Sequence, residues 1–328
     1  VQRSLQAMDS CDLALLVCAG GWDGHEKRLL QQLLDRQLPT IVVFNKSDCC
    51  PVDPQKRRQL QKQGLNVVET NALNRRGIDQ LKEKIRQLAP PSSLIHPTIV
   101  GDLIQPGQLV VLVTPIDLEA PTGRLILPQV QTIRDVLDND ALCLMVKERE
   151  LRLALDQLRH PPALVVTDSQ AFLKVAADVP EQVAMTSFSI LFARLKGDLC
   201  TFVRGARTID QLRPGSRVLV AEACSHHVVG DDIGRVKIPR WLRQYVGGPL
   251  QFSHVQGQDF PEDLSGFDLV IHCGACTINR RQMHSRIARC QRAGVPITNY
   301  GLTIAYSLGI FERALQPFPD ALAAYRQS

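Results

Sequence analysis

At 328 residues, 45% apolar and 22% charged, the chain has the balance of a soluble protein of two or three domains, not of a disordered or fibrous one. Its net charge of +5 is small, and basic residues such as Lys56, Arg57, Arg58 and Lys62 are spread over amphipathic patterns, so no nucleic-acid partner is expected. No stretch reaches the roughly 18 to 20 apolar residues of a membrane span and the start has no signal layout, so a cytoplasmic chain without a membrane partner is expected.

From Asp12 to Leu88 the apolar runs DLALLVC, TIVVF and NVVET alternate with the helical patterns HEKRLLQQLLDRQ, PQKRRQLQKQG and GIDQLKEKIRQL. Strand and helix in alternation predict a parallel sheet covered by helices. TIVVF runs into Asn45, Lys46, Ser47 and Asp48, the N-K-x-D of a guanine reader. The Asp48 carboxylate matches the N1–H and exocyclic N2 donors of guanine, and adenine lacks that pair, so the wrong base leaves buried polar groups unmatched. Asn45 fixes the loop, and the Lys46 stem lies on the base. One strand later, Thr70, Asn71 and Ala72 stand where such GTPases present a second guanine-contacting loop, with Asn71 where Ser is usual. The chain contains no G-x-x-x-x-G-K-[ST] to cradle phosphates, and no Asp-x-x-Gly precedes the first strand. It therefore reads as the base-reading half of a P-loop GTPase-like domain over residues 1–95, the later part of a longer protein, inactive in hydrolysis by itself.

A Pro- and Ser-rich linker, APPSSLIHP, precedes a second α/β unit over residues 98–184, with strands in QLVVLVT, ALCLMV and ALVVT. It holds no cluster of His, Cys or paired carboxylates and reads as a scaffold or association surface, whose sheet edge can continue across a two-fold axis. Residues 185–328 give a third, doubly wound unit, opening with one helix over SFSILFARLKGDLCTFVRGA and containing strands SRVLVAEA, QFSHV, FDLVI and VPITN.

Two of those strands end in metal-ligand chemistry. VLVAEACSHH places Cys224 and His226 after one, and DLVIHCGAC places His272, Cys273 and Cys276 after another. Parallel strands bring both loops to one sheet edge, where open α/β sheets bind ligands. Asn279 caps the helix that follows, with Gln282 three residues on, and that N-terminus favours thiolates nearby. Ten irregularly spaced cysteines argue for reduced thiols and metal ligands over a disulfide framework. Three thiolates with a replaceable fourth ligand suit a 4Fe–4S cluster. A Cys3His zinc site suits the same residues, and spacing leaves both open. Arg235, Lys237, Arg240 and Arg243 after the first loop read as a solvated surface.

An N-K-S-D domain, a middle α/β domain and a terminal C-x-H … H-C-x-x-C domain in one chain resemble the HydF family of FeFe-hydrogenase maturation GTPases. The resemblance runs over essentially the whole chain, and its most specific part is the C-terminal spacing. It implies a GTP-binding domain, a middle dimerisation domain making a homodimer, and a domain holding a 4Fe–4S cluster on Cys224, Cys273 and Cys276, with His226 or His272 as a labile fourth ligand. It further implies a scaffold that receives a two-iron precursor of the hydrogenase active site from radical-SAM maturases and delivers it to apo FeFe-hydrogenase. The family begins with a phosphate-binding loop that this chain lacks. The alternative from another class is a regulatory GTP-binding protein with a structural Cys/His zinc site.

Overall fold

The computed structural model describes residues 8–19, 21–89, 97–115, 124–223, 232–257 and 259–327. The chain forms two compact units, residues 1–96 and 97–328.

In the first unit, β1 (Ala14–Ala19), β2 (Thr40–Asn45) and β3 (Asn66–Glu69) form a parallel sheet in that order. The central strand β2 is buried from Thr40 to Phe44, which is why it reads as an unbroken apolar run. Helices Gly24–Asp35, Pro54–Lys62 and Ile78–Leu88 connect and follow the strands. Asp23 and Glu26 build a capping box on the first, and Asp53 with Pro54 starts the second, each satisfying N–H groups the first turn leaves open. After β3 the backbone turns through Gly77 at φ 75°, where a Cβ would strike the Glu69 carbonyl.

The second unit contains two four-stranded parallel sheets. β4 (Leu109–Val113), β5 (Leu142–Val146), β6 (Leu164–Thr167) and β7 (Ala184–Ser187) lie in the order β5-β4-β6-β7. β8 (Arg217–Glu222), β9 (Gln251–Gln256), β10 (Leu269–His272) and β11 (Ile297–Asn299) lie in the order β11-β10-β8-β9. One continuous buried core joins them, from Val110–Val113 and Met185 through Phe192 and Phe202 to Val218–Ala221 and Leu269–Ile271.

This corrects the predicted organisation in two places. A boundary between 184 and 185 cuts β7, whose Ala184–Ser187 pair with Leu164–Thr167 of the middle sheet, and residues 97–328 pack as one unit. The single helix predicted after Met185 is two helices, Phe188–Lys196 and Leu199–Arg207. Ser187 caps the first; the second starts where Asp198 accepts the Cys200 N–H at 3.1 Å. Gly197 fits between them because a Cβ there would press on the Phe202 ring at 2.6 Å.

The β11-β10-β8-β9 order creates a switch point. From β8 the chain adds β9 on one side, then crosses to place β10 on the other, so the strand order reverses between β8 and β10, the place where open α/β sheets bind ligands at the carboxyl edge.

Candidate functional site

The N-K-S-D loop, the first candidate, begins where β2 ends. Asn45 Oδ1 accepts from Thr70 Oγ1 and from the Ala72 N–H, both at 3.1 Å, and the Ser47 N–H donates to the Thr70 carbonyl at 3.2 Å. One amide thus ties together the two loops the sequence singles out. Lys46 sits at φ 57°, a left-handed turn that lets the Cys49 and Cys50 N–H groups both return to its carbonyl, at 3.0 and 2.8 Å. Asp48 stands exposed. Its own N–H comes first in holding its carboxyl below the ordinary carboxylate range, against some desolvation, with the Cys49 thiol and N–H and the Asn71 side chain adding to it. Asn71 is buried, and its Oδ1 accepts from the Leu73 and Asn74 N–H groups at 3.0 and 3.3 Å. The loop is a preformed cup of backbone and amides with an anionic carboxylate on its rim.

The second candidate lies at the switch point. Cys224 and His226 lie outside the described residues. β8 runs as far as Glu222, and the Ala223 N–H donates to Cys273 Sγ at 3.0 Å, while the Cys273 N–H donates to the Ala221 carbonyl at 2.9 Å. The residue next to Cys224 in sequence therefore already touches the C-x-x-C turn. Between Cys273 and Cys276 the chain bends through Ala275 at φ 57°, and Asn279 Oδ1 caps the following helix by accepting the Gln282 N–H at 2.9 Å. Burial pushes the Cys276 thiol up; its own N–H, the Lys196 ammonium and the Thr277 N–H oppose that. Lys196, at the end of helix Phe188–Lys196, is in turn lowered by burial. Among the described residues no group of three His, Cys, Asp or Glu side chains converges as a metal cage. The donor chemistry suits a cluster: two thiols stand on one bend with N–H groups aimed at sulfur, and these with Lys196 offset part of the cost that burial puts on the Cys276 thiolate.

His272, read from the sequence as a possible labile fourth ligand, is tied into the protein. It is fully buried, with Nδ1 2.8 Å from the Cys273 carbonyl and Nε2 2.7 Å from Arg286 Nη1. Burial first, then the Arg286 charge, pushes its pKa down to about 3. The ring is neutral and both nitrogens are engaged, so as placed it offers no lone pair to a metal.

Several groups at this edge carry no motif. Glu222, 2% exposed, accepts from Tyr300 Oη at 3.2 Å and Gln256 Nε2 at 2.8 Å. Burial first, then the Cys273 and Glu222 charges, raises the Tyr300 hydroxyl far above its usual range. Gly234 packs so tightly here that a Cβ would strike the Tyr300 hydroxyl and approach Glu222 Oε1 to 2.8 Å. Ser189 Oγ is held by Asn299 Nδ2 at 2.9 Å and by the Gly301 N–H at 3.1 Å, and its Cα lies 3.8 Å from where a Cβ on Gly274 would stand. Acidic and hydroxyl residues at strand ends were the only sequence signal available for these. Of the basic run, Lys237 donates to Gln170 Oε1 at 2.7 Å and Arg243 lies 5.1 Å from the centre of the Phe252 ring.

Two family models match this chain: the hydrogen maturase F dimerization domain over residues 99–197 and the hydrogen maturase F tetramerization domain over residues 200–317. The chain is similar to GTPase Era of Nitrosomonas eutropha (strain DSM 101675 / C91 / Nm57), 34% identical over 91 residues, which is 26% of this chain and 31% of that protein; the chain spans under a third of that relative's length. Among solved structures, an NtrC family transcriptional regulator from Clostridium acetobutylicum aligns at 8% identity and a TM-score of 0.21, covering 63% of this chain and 97% of that one.

Proposed function

The chain belongs to the hydrogen maturase F family, and on that premise we propose that it is a scaffold in FeFe-hydrogenase maturation. It holds a 4Fe–4S cluster on Cys224, Cys273 and Cys276, and carries a two-iron precursor from radical-SAM maturases to apo-hydrogenase. The observation that carries this reading is the Ala223 N–H on Cys273 Sγ at 3.0 Å, which supports a shared site for the Cys224 loop and the C-x-x-C turn at the switch point.

When bound, the cluster supplies an iron with an exchangeable position to which an incoming group attaches. The chain's own residues prepare that place. The two thiols of the bend are presented together by the left-handed Ala275, and N–H groups of Ala223, Cys276 and Thr277 point at sulfur. Lys196 adds a positive charge beside Cys276, which favours thiolate over thiol. With His272 engaged by Arg286, His226 is the remaining imidazole for the fourth position.

In the first unit the Asp48 carboxylate, kept ionised by its hydrogen bonds, reads guanine, and Asn45 holds the two loops at the spacing the base needs. The middle sheet pairs two copies: β5 is an edge strand with Leu142 58% exposed, and Leu127, Val130 and Leu137 leave apolar surface on the helix before it. Leu142→Lys should turn a dimer into a monomer in light scattering, and an unchanged dimer would rule out that edge.

Anaerobic purification with iron, sulfide and zinc analysis tests the central reading. About four irons per chain and a broad visible absorption are expected; stoichiometric zinc with no iron would overturn it.

A further inference from the structure

His272 closes β10 one residue before the first cysteine of the turn, and the hydrogen-bonding roles around it admit one solution. The Cys273 carbonyl can only accept, so Nδ1 carries the proton; an arginine can only donate, so Nε2 is the bare nitrogen that receives Arg286 Nη1. Arg286 is itself anchored. It is 4% exposed, its Nη2 donates to the Gly257 carbonyl just after β9, and its guanidinium lies 5.1 Å from the centre of the Phe260 ring. Three segments therefore meet under the cysteine turn: the loop after β9, the end of β10, and helix Arg280–Arg292.

We propose that Arg286 and His272 form a fixed clamp that sets the Cys273–Cys276 turn from beneath, and that His272 positions the thiols without ligating iron. The proposal deepens the cluster reading above and rests on it for the identity of the metal alone. Ligation through Nε2 would take the acceptor away from a buried guanidinium, and ligation through Nδ1 would release the Cys273 carbonyl. Each leaves a buried polar group unmatched, which protein interiors avoid. The planar fork of arginine lets one side chain serve both His272 and Gly257, a task the single ammonium of lysine cannot share in the same geometry. His272 and Arg286 are thus positioning residues, acting through the turn.

The test uses the full chain labelled with nitrogen-15 histidine, with the His272 resonances identified by their loss in His272→Asn. In the metal-free wild type, His272 should show a protonated Nδ1 and a hydrogen-bonded, unprotonated Nε2. Arg286→Lys should move the Nε2 resonance to an unbonded value and make alkylation of Cys273, followed peptide by peptide, about tenfold faster, the effect of one lost buried hydrogen bond. His272→Leu should do the same to the thiol. His272→Asn, whose amide can still donate to the Cys273 carbonyl, should restore slow alkylation. After anaerobic reconstitution, pulsed EPR of the reduced cluster should give the same nitrogen coupling in wild type and His272→Asn. A wild-type Nε2 that is protonated or unbonded, thiol rates indifferent to Arg286→Lys, or a nitrogen coupling that vanishes in His272→Asn would overturn the clamp. If the wild type takes up no iron, the cluster reading fails, and the tautomer and alkylation results still decide the clamp.

Discussion

The loop after β2 and the turn after β10 occupy equivalent places, each at the carboxyl end of a parallel strand, yet Lys46 and Asp48 stand exposed while His272 is completely buried. The first loop is held by hydrogen bonds confined to residues 44–76, mostly backbone to backbone or to the amides of Asn45 and Asn71. The second draws on distant segments: Arg286 on a later helix bonds His272 and the Ala223 N–H after β8 bonds Cys273 Sγ, while beside the turn Tyr300 after β11 bonds Glu222 of β8. A local, solvated loop should lose function one residue at a time. A buried network assembled from afar should fail as a unit, because each group removed leaves another without a partner in a low-dielectric interior.

The largest expected effect separates the two sites outright. Cys273→Ala should bring reconstituted iron close to zero by chemical analysis and leave guanine-nucleotide affinity unchanged; a fall in both would mean that the two sites are coupled. Next comes packing. Gly205 faces the Ile297 carbonyl, a backbone group that a Cβ would strike, so Gly205→Ala should destabilise the second unit by about 3 kcal/mol in denaturant unfolding. The contrasting change in the first unit, Gly64→Ala, has open space around it but a φ of 79°, and should cost only about 1 kcal/mol.

Asn45→Ala removes both acceptor contacts that join the guanine loops. A loss of about 1 to 2 kcal/mol in the first unit is expected, with roughly tenfold weaker GDP binding by calorimetry and unaltered iron. Unchanged GDP affinity would show that the loops keep their spacing without that amide.

The smallest effect is a pH dependence within the second unit. Tyr245 and Tyr306 both donate to the Asp210 carboxylate, and burial first, then Asp210, raises both hydroxyls, Tyr245 from 10.0 to about 12. A folded pKa above the unfolded one means that this stabilisation is whole below about pH 10 and drains away as pH climbs toward 12. Tyrosinate absorbance should therefore lag on titration and then rise with unfolding, and Tyr245→Phe should make that lag smaller. A titration with all tyrosines ionising near pH 10 would contradict it.

How much of this could be read from the chain alone follows the same division. N-K-S-D is contiguous, follows an apolar strand, and has its partner loop one strand later, so the meeting of the two loops through Asn45, Thr70 and Ala72 was legible. The parallel character of the sheets was legible too, since strands covered on both faces need unbroken apolar runs. The C-x-x-C turn announced itself, and the approach of the end of β8 to it, through Ala223 on Cys273, followed from strand order. His272 was read as one possible labile fourth ligand, and its contact with a buried arginine 14 residues on was not legible, because nothing in DLVIHCGAC reveals it. The boundary at 184 was misplaced because AMTS, a short strand of small and polar residues, carries little apolar signal and becomes a strand only by pairing with β6.

By itself, then, the sequence determined which residues could do chemistry and at which strand ends they would stand, because motif spacing and side-chain periodicity are local properties. The tertiary structure decided which of them are free to act. Whether a nitrogen is a ligand or a clamp depends on what lies within about 3 Å of it, and for His272 that neighbour, Arg286, arrives through a turn and a helix whose packing no local pattern specifies.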